Sequence, residues 1–260
     1  MKIIDSHCHP ELSLYKEDRN AMLERNLEKG VFMIGIGNDY ESSKEMAELA
    51  DKYRNIWATV GLHPTLPITG HDVQSYELLS KREKVVAIGE VGLDYYPEID
   101  EDEVGRQHKV LNDFINLSMI LNKPLVLHVR NSKSGRSAHD DVIKILSKFG
   151  TDKIHGVVHS FTGTVEESRK YIDMGFFIGL NGIITFSDEY DDLITNIPNE
   201  KILLETDSPW LTPVPFRGKR NEPMYVIEVV KKISEIKIID LENAINICNS
   251  NCQKLFKIMI

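Results

Sequence analysis

The stretch Lys201-Ile202-Leu203-Leu204-Glu205-Thr206-Asp207-Ser208-Pro209 sets a short apolar run directly against two carboxylates and a proline. Three consecutive aliphatic residues are too few for a helix. They read as a strand buried on both faces, with acidic side chains emerging at its C-terminal end. The same unit recurs along the chain. Short runs rich in Val and Ile occupy residues 2–6, 31–37, 56–60, 85–89, 125–127, 154–158, 176–179 and 202–204. Amphipathic patterns of helical period separate them, at 18–28, 41–53, 72–82, 103–121, 139–148, 165–173 and, more weakly, 188–196. Helical patterns at 222–236 and 241–256 follow the eighth run. Eight strand–helix units in about 235 residues match an α/β chain of the (β/α)8 TIM-barrel type. The helix at 241–256 is then an extra C-terminal one. A doubly wound open sheet is the competing architecture, but no Gly-rich dinucleotide turn follows any strand.

Composition agrees. The chain has 260 residues, 42% of them hydrophobic, with no low-complexity run and no linker. It is expected to form one domain over residues 1–260. Lys plus Arg number 31 against 40 Asp plus Glu, a net charge of −9. Bulk charge therefore does not draw the protein to nucleic acid or anionic membrane, and phosphate contact needs a local basic patch or bound cations. Three cysteines form no disulfide framework and suit a reducing compartment. No apolar run reaches transmembrane length and the start lacks a signal-peptide core, so a soluble, cytoplasmic chain is expected.

Barrel enzymes carry their chemistry at the C-terminal ends of the strands. His7 and His9 follow the first run, His63 the third, Glu90 the fourth, His128 the fifth, His159 the sixth, and Glu205 with Asp207 the eighth. Residues two apart on a strand share a face, so the Cα atoms of His7 and His9 lie roughly 6.6 Å apart, within reach of one ion. Mixed imidazole and carboxylate donors suit Zn, Mn, Ni or Fe(II), and less ideally Mg. Six donors exceed one tetrahedral ion, while two ions bridged by a carboxylate use them all.

With these residues in place, the chain resembles the TatD family of metal-dependent deoxyribonucleases, within the amidohydrolase-like barrels. The resemblance runs nearly end to end. It rests on Asp5-Ser6-His7-Cys8-His9, Gly61-Leu62-His63-Pro64, Gly89-Glu90-Val91-Gly92-Leu93-Asp94, Pro124 to Arg130, His159-Ser160-Phe161-Thr162-Gly163, Glu205-Thr206-Asp207-Ser208-Pro209, Arg217-Gly218-Lys219-Arg220-Asn221-Glu222-Pro223 and Asn251 to Phe256. It implies that His7, His9 and Asp207 hold one ion, that His128 and His159 hold a second, and that Glu90 bridges them. Related amidohydrolases often carry a carboxylated lysine where Glu90 stands. His63 and Glu205 are implied close to the site, contacting substrate or orienting ligands, with Asp5 behind them. The chain departs from the family pattern after Arg130, where residues 131–140 form a longer, more basic loop.

The remaining residues carry plainer expectations. His71, His108 and His139 read as ordinary surface residues, and His155, four residues below His159, as a buried structural one. Cys8, Cys248 and Cys252 read as core. Tyr95 and Tyr96 either stack on a base or pack their loop. Arg130, Lys133, Arg136, Arg217, Lys219 and Arg220 fall on loops at the rim expected to hold the metals, which suits phosphate binding. The acidic run 98–103 reads as a solvated turn entering a helix.

The activity expected is hydrolysis of DNA phosphodiester bonds with two divalent ions (Zn, Mg, Mn or Ni), Asp207 taking the proton of the attacking water. The resemblance implies trimming of single strands from the 3′ end. The alternatives are a two-metal hydrolase of a carbonyl substrate such as an ester, lactone, amide or aminoacyl-tRNA, and a scaffold without activity. The sequence leaves oligomeric state open and is compatible with a monomer.

Overall fold

A computed structural model describes residues 1–68, 72–150 and 153–260. His71 lies outside them. The strands are β1 (Ile3–Cys8), β2 (Val31–Gly35), β3 (Ile56–Val60), β4 (Val85–Asp94), β5 (Leu125–Arg130), β6 (Gly156–Val158), β7 (Phe177–Leu180) and β8 (Ile202–Leu204). They pair in parallel, in sequence order. The ring closes between β8 and β1: the His9 amide donates to Ser208 O (2.8 Å) and the Asp207 amide to His7 O (2.9 Å). The fold is an eight-stranded (β/α)8 barrel.

The helices are α1 (Arg19–Glu28), α2 (Tyr40–Lys52), α3 (Val73–Ser80), α4 (Glu101–Leu121), α5 (Ala138–Leu146), α6 (Val165–Asp173), α7 (Asp191–Asn196), α8 (Val226–Lys237) and α9 (Leu241–Phe256). Local chemistry starts six of them. The side chains of Asp39, Asp72, Asp100, Ser137, Thr164 and Asp240 each accept the N3 amide of the helix that follows. The acidic run is accounted for this way: Asp100 caps α4 and Glu101, Asp102 and Glu103 fill its first turn. Helix α8 starts later than its pattern, because Pro223–Tyr225 forms a 3-10 turn and Glu222 is held by Arg25 (2.6 and 2.8 Å).

Two apolar layers hold the barrel. The outer one seals the strands against the helices. The inner one takes Ile4, Ile34, Ala87, Val126, Val157, Phe177 and Leu203 from seven strands and closes with Cys252, Leu255 and Phe256 of α9. Helix α9 is therefore the floor of the barrel. Asn249 fixes it to β1, accepting from the Ile4 amide and donating to Lys2 O (both 3.0 Å). Asn251 fixes it to β8, donating to Ile202 O (2.9 Å). The cysteines are buried and free, as expected.

Strand β4 passes Gly89 and runs to Asp94, so Glu90 lies within a strand rather than after one. Its pairing with β5 shifts register between Ile88 and Val91, and that of β1 with β2 shifts between Asp5 and Cys8. Such shifts re-aim side chains. They bring His7 to the interior on the same strand as Ile4, against simple alternation. His155 is a correction: it lies just before β6 and is only half-buried.

Candidate metal centre

One rim of the barrel gathers His7 and His9 from β1 and its end, Glu90 and Asp94 from β4, and His128 from β5. His63, His159, Glu205 and Asp207 join them from the loops after β3, β6 and β8. His7 Nε2 lies 3.2 Å from His9 Nε2, 3.5 Å from Glu90 Oε2 and 3.7 Å from Asp207 Oδ1. His9 Nε2 lies 3.4 Å from the same Asp207 oxygen. Two imidazoles and the Asp207 carboxylate thus face one point, with Glu90 beside them, and these three donors fit a divalent cation. His159 stacks on His7, ring centroids 3.4 Å apart, with its Nε2 3.6 Å from Glu90 Oε1. His128 Nδ1 meets that same Oε1 at 2.8 Å. Glu90, 2% exposed, therefore turns one oxygen toward His7 and His9 and the other toward His128 and His159.

Charge is balanced by these contacts. Burial alone would raise the Glu90 carboxyl, but His63, His159 and His7 hold it well below the carboxylate range. Burial likewise opposes ionisation of Asp207, and His159, His9 and His7 outweigh it, leaving a carboxylate. Burial disfavours a charged His128, yet Asp94 and Glu90 on its two nitrogens raise it to about 9.

Carboxylates also stand behind the imidazoles. Glu205 is fully buried. Its Oε1 accepts from the Ser160 amide (2.6 Å) and lies 3.1 Å from His159 Nδ1. Asp5 pins the backbone of both ligand segments, accepting from the amides of His7 (3.2 Å) and Thr206 (2.9 Å) and from Thr206 Oγ1 (2.6 Å). His63 Nε2 reaches His128 Nδ1 at 3.3 Å. Asp207 adopts a left-handed backbone, φ +53°, fixed by its amide bond to His7 O.

Sequence reasoning missed Asp94, bonded to His128 Nε2 at 2.9 Å, and Glu11, a buried carboxylate 3.8 Å from His9 Nδ1. Both were legible as acidic residues two or four positions beyond a chosen ligand. Two adjoining cavities, of about 290 and 430 Å³, open onto the centre and share His128, Arg130, His159, Asp207 and Trp210.

The basic rim is smaller than expected. Arg130 lines both cavities, its guanidinium 3.8 Å above the Tyr96 ring. Lys133 also lies over Tyr96, at 5.0 Å. Arg217 lies over Phe186 (3.9 Å) and Lys219 over Phe216 (5.7 Å), and neither lines those cavities. Arg220 is bound to Asp18 (2.7 Å) and Arg136 to Glu101 (2.5 Å). Tyr95 is buried, its hydroxyl joined to His108 (2.7 Å) and Asp141 (2.8 Å), so it packs its loop, and His108 is half-buried beside it. His139 is no surface residue. It is 1% exposed, facing Phe161 and Tyr171 across α5, with its Nδ1 3.2 Å from the Tyr171 hydroxyl.

The family model described as TatD related DNase matches residues 4–257. The chain belongs to the TatD family. It is 35% identical to the uncharacterized metal-dependent hydrolase YabD of Bacillus subtilis over 98% of this chain and 99% of that one. It is 31% identical to YcfH of Escherichia coli, described in the same words, over 99% and 97%. The crystal structure of YjjV, a TatD homolog from Escherichia coli, superposes with a TM-score of 0.87 at 28% identity, covering 99% of this chain and 98% of that one. This TatD chain is accordingly a metal-dependent hydrolase, with its His, Glu and Asp groups able to hold metal. No helix among the described residues is long and apolar enough to cross a membrane.

Proposed function

We propose that this TatD protein is a deoxyribonuclease that hydrolyses phosphodiester bonds at the 3′ end of single-stranded DNA, using two divalent ions. The observation that carries the reading is the two-sided carboxylate of Glu90, one oxygen toward each pair of histidines. His7, His9 and Asp207 would hold one ion and His128 and His159 the other, with Glu90 between them. Ions bound there would supply Lewis acidity, a more acidic water and charge to balance the phosphoryl oxygens. Zn, Mn and Ni suit these donors better than Mg.

The chain's own residues do the rest. Asp207, ionised and lining both cavities, accepts the water's proton on a carboxylate oxygen. Arg130, propped on Tyr96, pairs with a phosphate of the bound strand. Glu205 keeps His159 turned inward from behind, and Asp5 holds the His7 and Thr206 amides in register. The acidic chain meets an anionic substrate at this one locally balanced place. Three buried, unpaired thiols suit the reducing cytoplasm.

The test is a 5′-labelled oligonucleotide incubated with the protein and a panel of divalent ions, with chelator and Asp207→Asn as controls. A metal-dependent ladder of shortened products, lost in the variant, supports the reading and shows its direction. An intact oligonucleotide beside protein carrying two ions per chain overturns it and turns attention to ester, lactone and aminoacyl-tRNA substrates.

A further inference from the structure

Trp210 is unlike everything else around the centre. It is a large apolar ring, 46% exposed, beside a charged site, and it lines both cavities. The other aromatic faces of the rim are taken. Tyr95 is buried, Tyr96 lies under Arg130 and Lys133, Phe186 lies under Arg217, and Phe216 stacks on Tyr225 at 4.2 Å. Among the described residues no cation stands over Trp210. Its ring is nevertheless anchored. It packs by an edge-on contact against His9, centroids 5.3 Å apart, and its amide donates to Asp207 O at 3.0 Å. Asn221 Nδ2 donates to Trp210 O at 2.5 Å. The indole is thus tied through its backbone to Asp207 and through its ring to His9, while much of it stays open to solvent.

A flat, anchored, uncapped indole beside a site lined by imidazoles and carboxylates is what a nucleobase stacks upon, and stacking tolerates any base because every base has a π face. Arg130 borders the same two cavities and offers a planar guanidinium to a phosphate. Resting on the nuclease reading above, we propose that Trp210 is the base platform of the site: the base of the nucleotide next to the scissile phosphate stacks on it while Arg130 pairs with a backbone phosphate. This makes Trp210 a specificity-determining residue. It selects a base-bearing strand without selecting which base.

The test has two arms. In the first, KM is compared for a thymidine oligonucleotide and for an abasic deoxyribose-phosphate strand of equal length. The wild type is expected to favour the base-bearing strand by about 10- to 100-fold. Trp210→Ala should abolish that preference, and Trp210→Phe should keep most of it. The second arm needs no turnover. The chain holds two tryptophans, and Trp57 sits half-buried on β3 beside the inner layer. In the metal-loaded Trp57→Phe variant Trp210 is the sole tryptophan, excited selectively beyond the tyrosine absorption band, and a cleavage-resistant phosphorothioate oligothymidylate should quench it where the abasic strand does not. The difference between wild type and Trp210→Ala gives the same reading should Trp57→Phe fold poorly. Cleavage of both strands with equal KM and a silent Trp210 overturns the platform alone. Neither cleavage nor binding of either strand overturns the nuclease reading and the platform together. Quenching by a small aromatic ester in place of the oligonucleotide overturns it in favour of a carbonyl substrate.

Discussion

Substituting Gly179 by alanine isolates the role of Glu205. Gly179 lies in β7, and a Cβ there would fall 2.3 Å from Glu205 Oε2, 2.9 Å from its Cδ and 3.2 Å from Oε1. The glycine backbone is outside the left-handed region, so alanine strains nothing else. The carboxylate must retreat by about 1 Å to reach an ordinary contact distance. Glu205 is fully buried, so the retreat takes it off the Ser160 amide and away from His159 Nδ1. A hydrogen bond to a charged group contributes about 1.5–3 kcal/mol. In a domain of this size that corresponds to a melting temperature lower by about 3–6 °C. His159 also loses the carboxylate 3.1 Å behind its Nδ1, and disturbing such a partner typically costs about 10- to 100-fold in metal affinity or activity. The assay is thermal unfolding in chelator, followed by metal titration of the same samples. Glu205→Ala removes the obstacle, so Gly179→Ala should add little in that background, leaving a coupling of at least about 1 kcal/mol. An unchanged melting temperature, or the same penalty with and without Glu205, would refute this account of how His159 is held.

Glu11→Gln should weaken metal binding by about 10- to 100-fold, since Glu11 is the buried carboxylate 3.8 Å behind His9 and its oxygens make no hydrogen bond; titration by calorimetry checks it, and wild-type affinity would remove Glu11 from the centre. Removing metal should destabilise the chain by about 2.7 kcal/mol relative to ion at a hundred times its Kd, a drop of roughly 5 °C, and Asp207→Asn should shrink that difference. Arg220, against some burial and with help from Arg25, holds the Asp18 carboxyl well below its ordinary 3.8. A group depressed on folding stabilises above its unfolded pKa and loses that contribution as pH falls. Asp18→Asn should therefore flatten the melting-temperature profile between about pH 5 and pH 2, and a parallel acid limb in the variant would contradict it.

The barrel was legible because each of its eight strands carries a short apolar run, followed on most of them by imidazoles or carboxylates. What stayed hidden depends on partners far away in the chain. Glu90 looked like a residue after a strand because Gly89 and Gly92 interrupt the apolar run, yet β5 supplies hydrogen bonds to Asp94 and keeps the strand going. Arg220 looked free for phosphate until folding placed Asp18, 202 positions earlier, against it. His139 carries a local signal that went unread: with Val142 and Leu146 it lies on the buried stripe of α5. Its aromatic partners come from other elements, which no local pattern names. Trp210 gave no sign either, since an exposed indole and a buried one look alike in a sequence.

The floor made by α9 bears on the order in which the barrel is finished. Ile4 is bonded to Asn249 across 245 positions, and β1 closes only on Ser208 and its neighbours. During synthesis β1 emerges first and offers an unpaired edge until β8 and α9 exist. The ring cannot grow to completion strand by strand as the ribosome advances. Its first strand waits for nearly the whole chain, and an open edge held that long is where a newly made copy is most exposed to pairing with another.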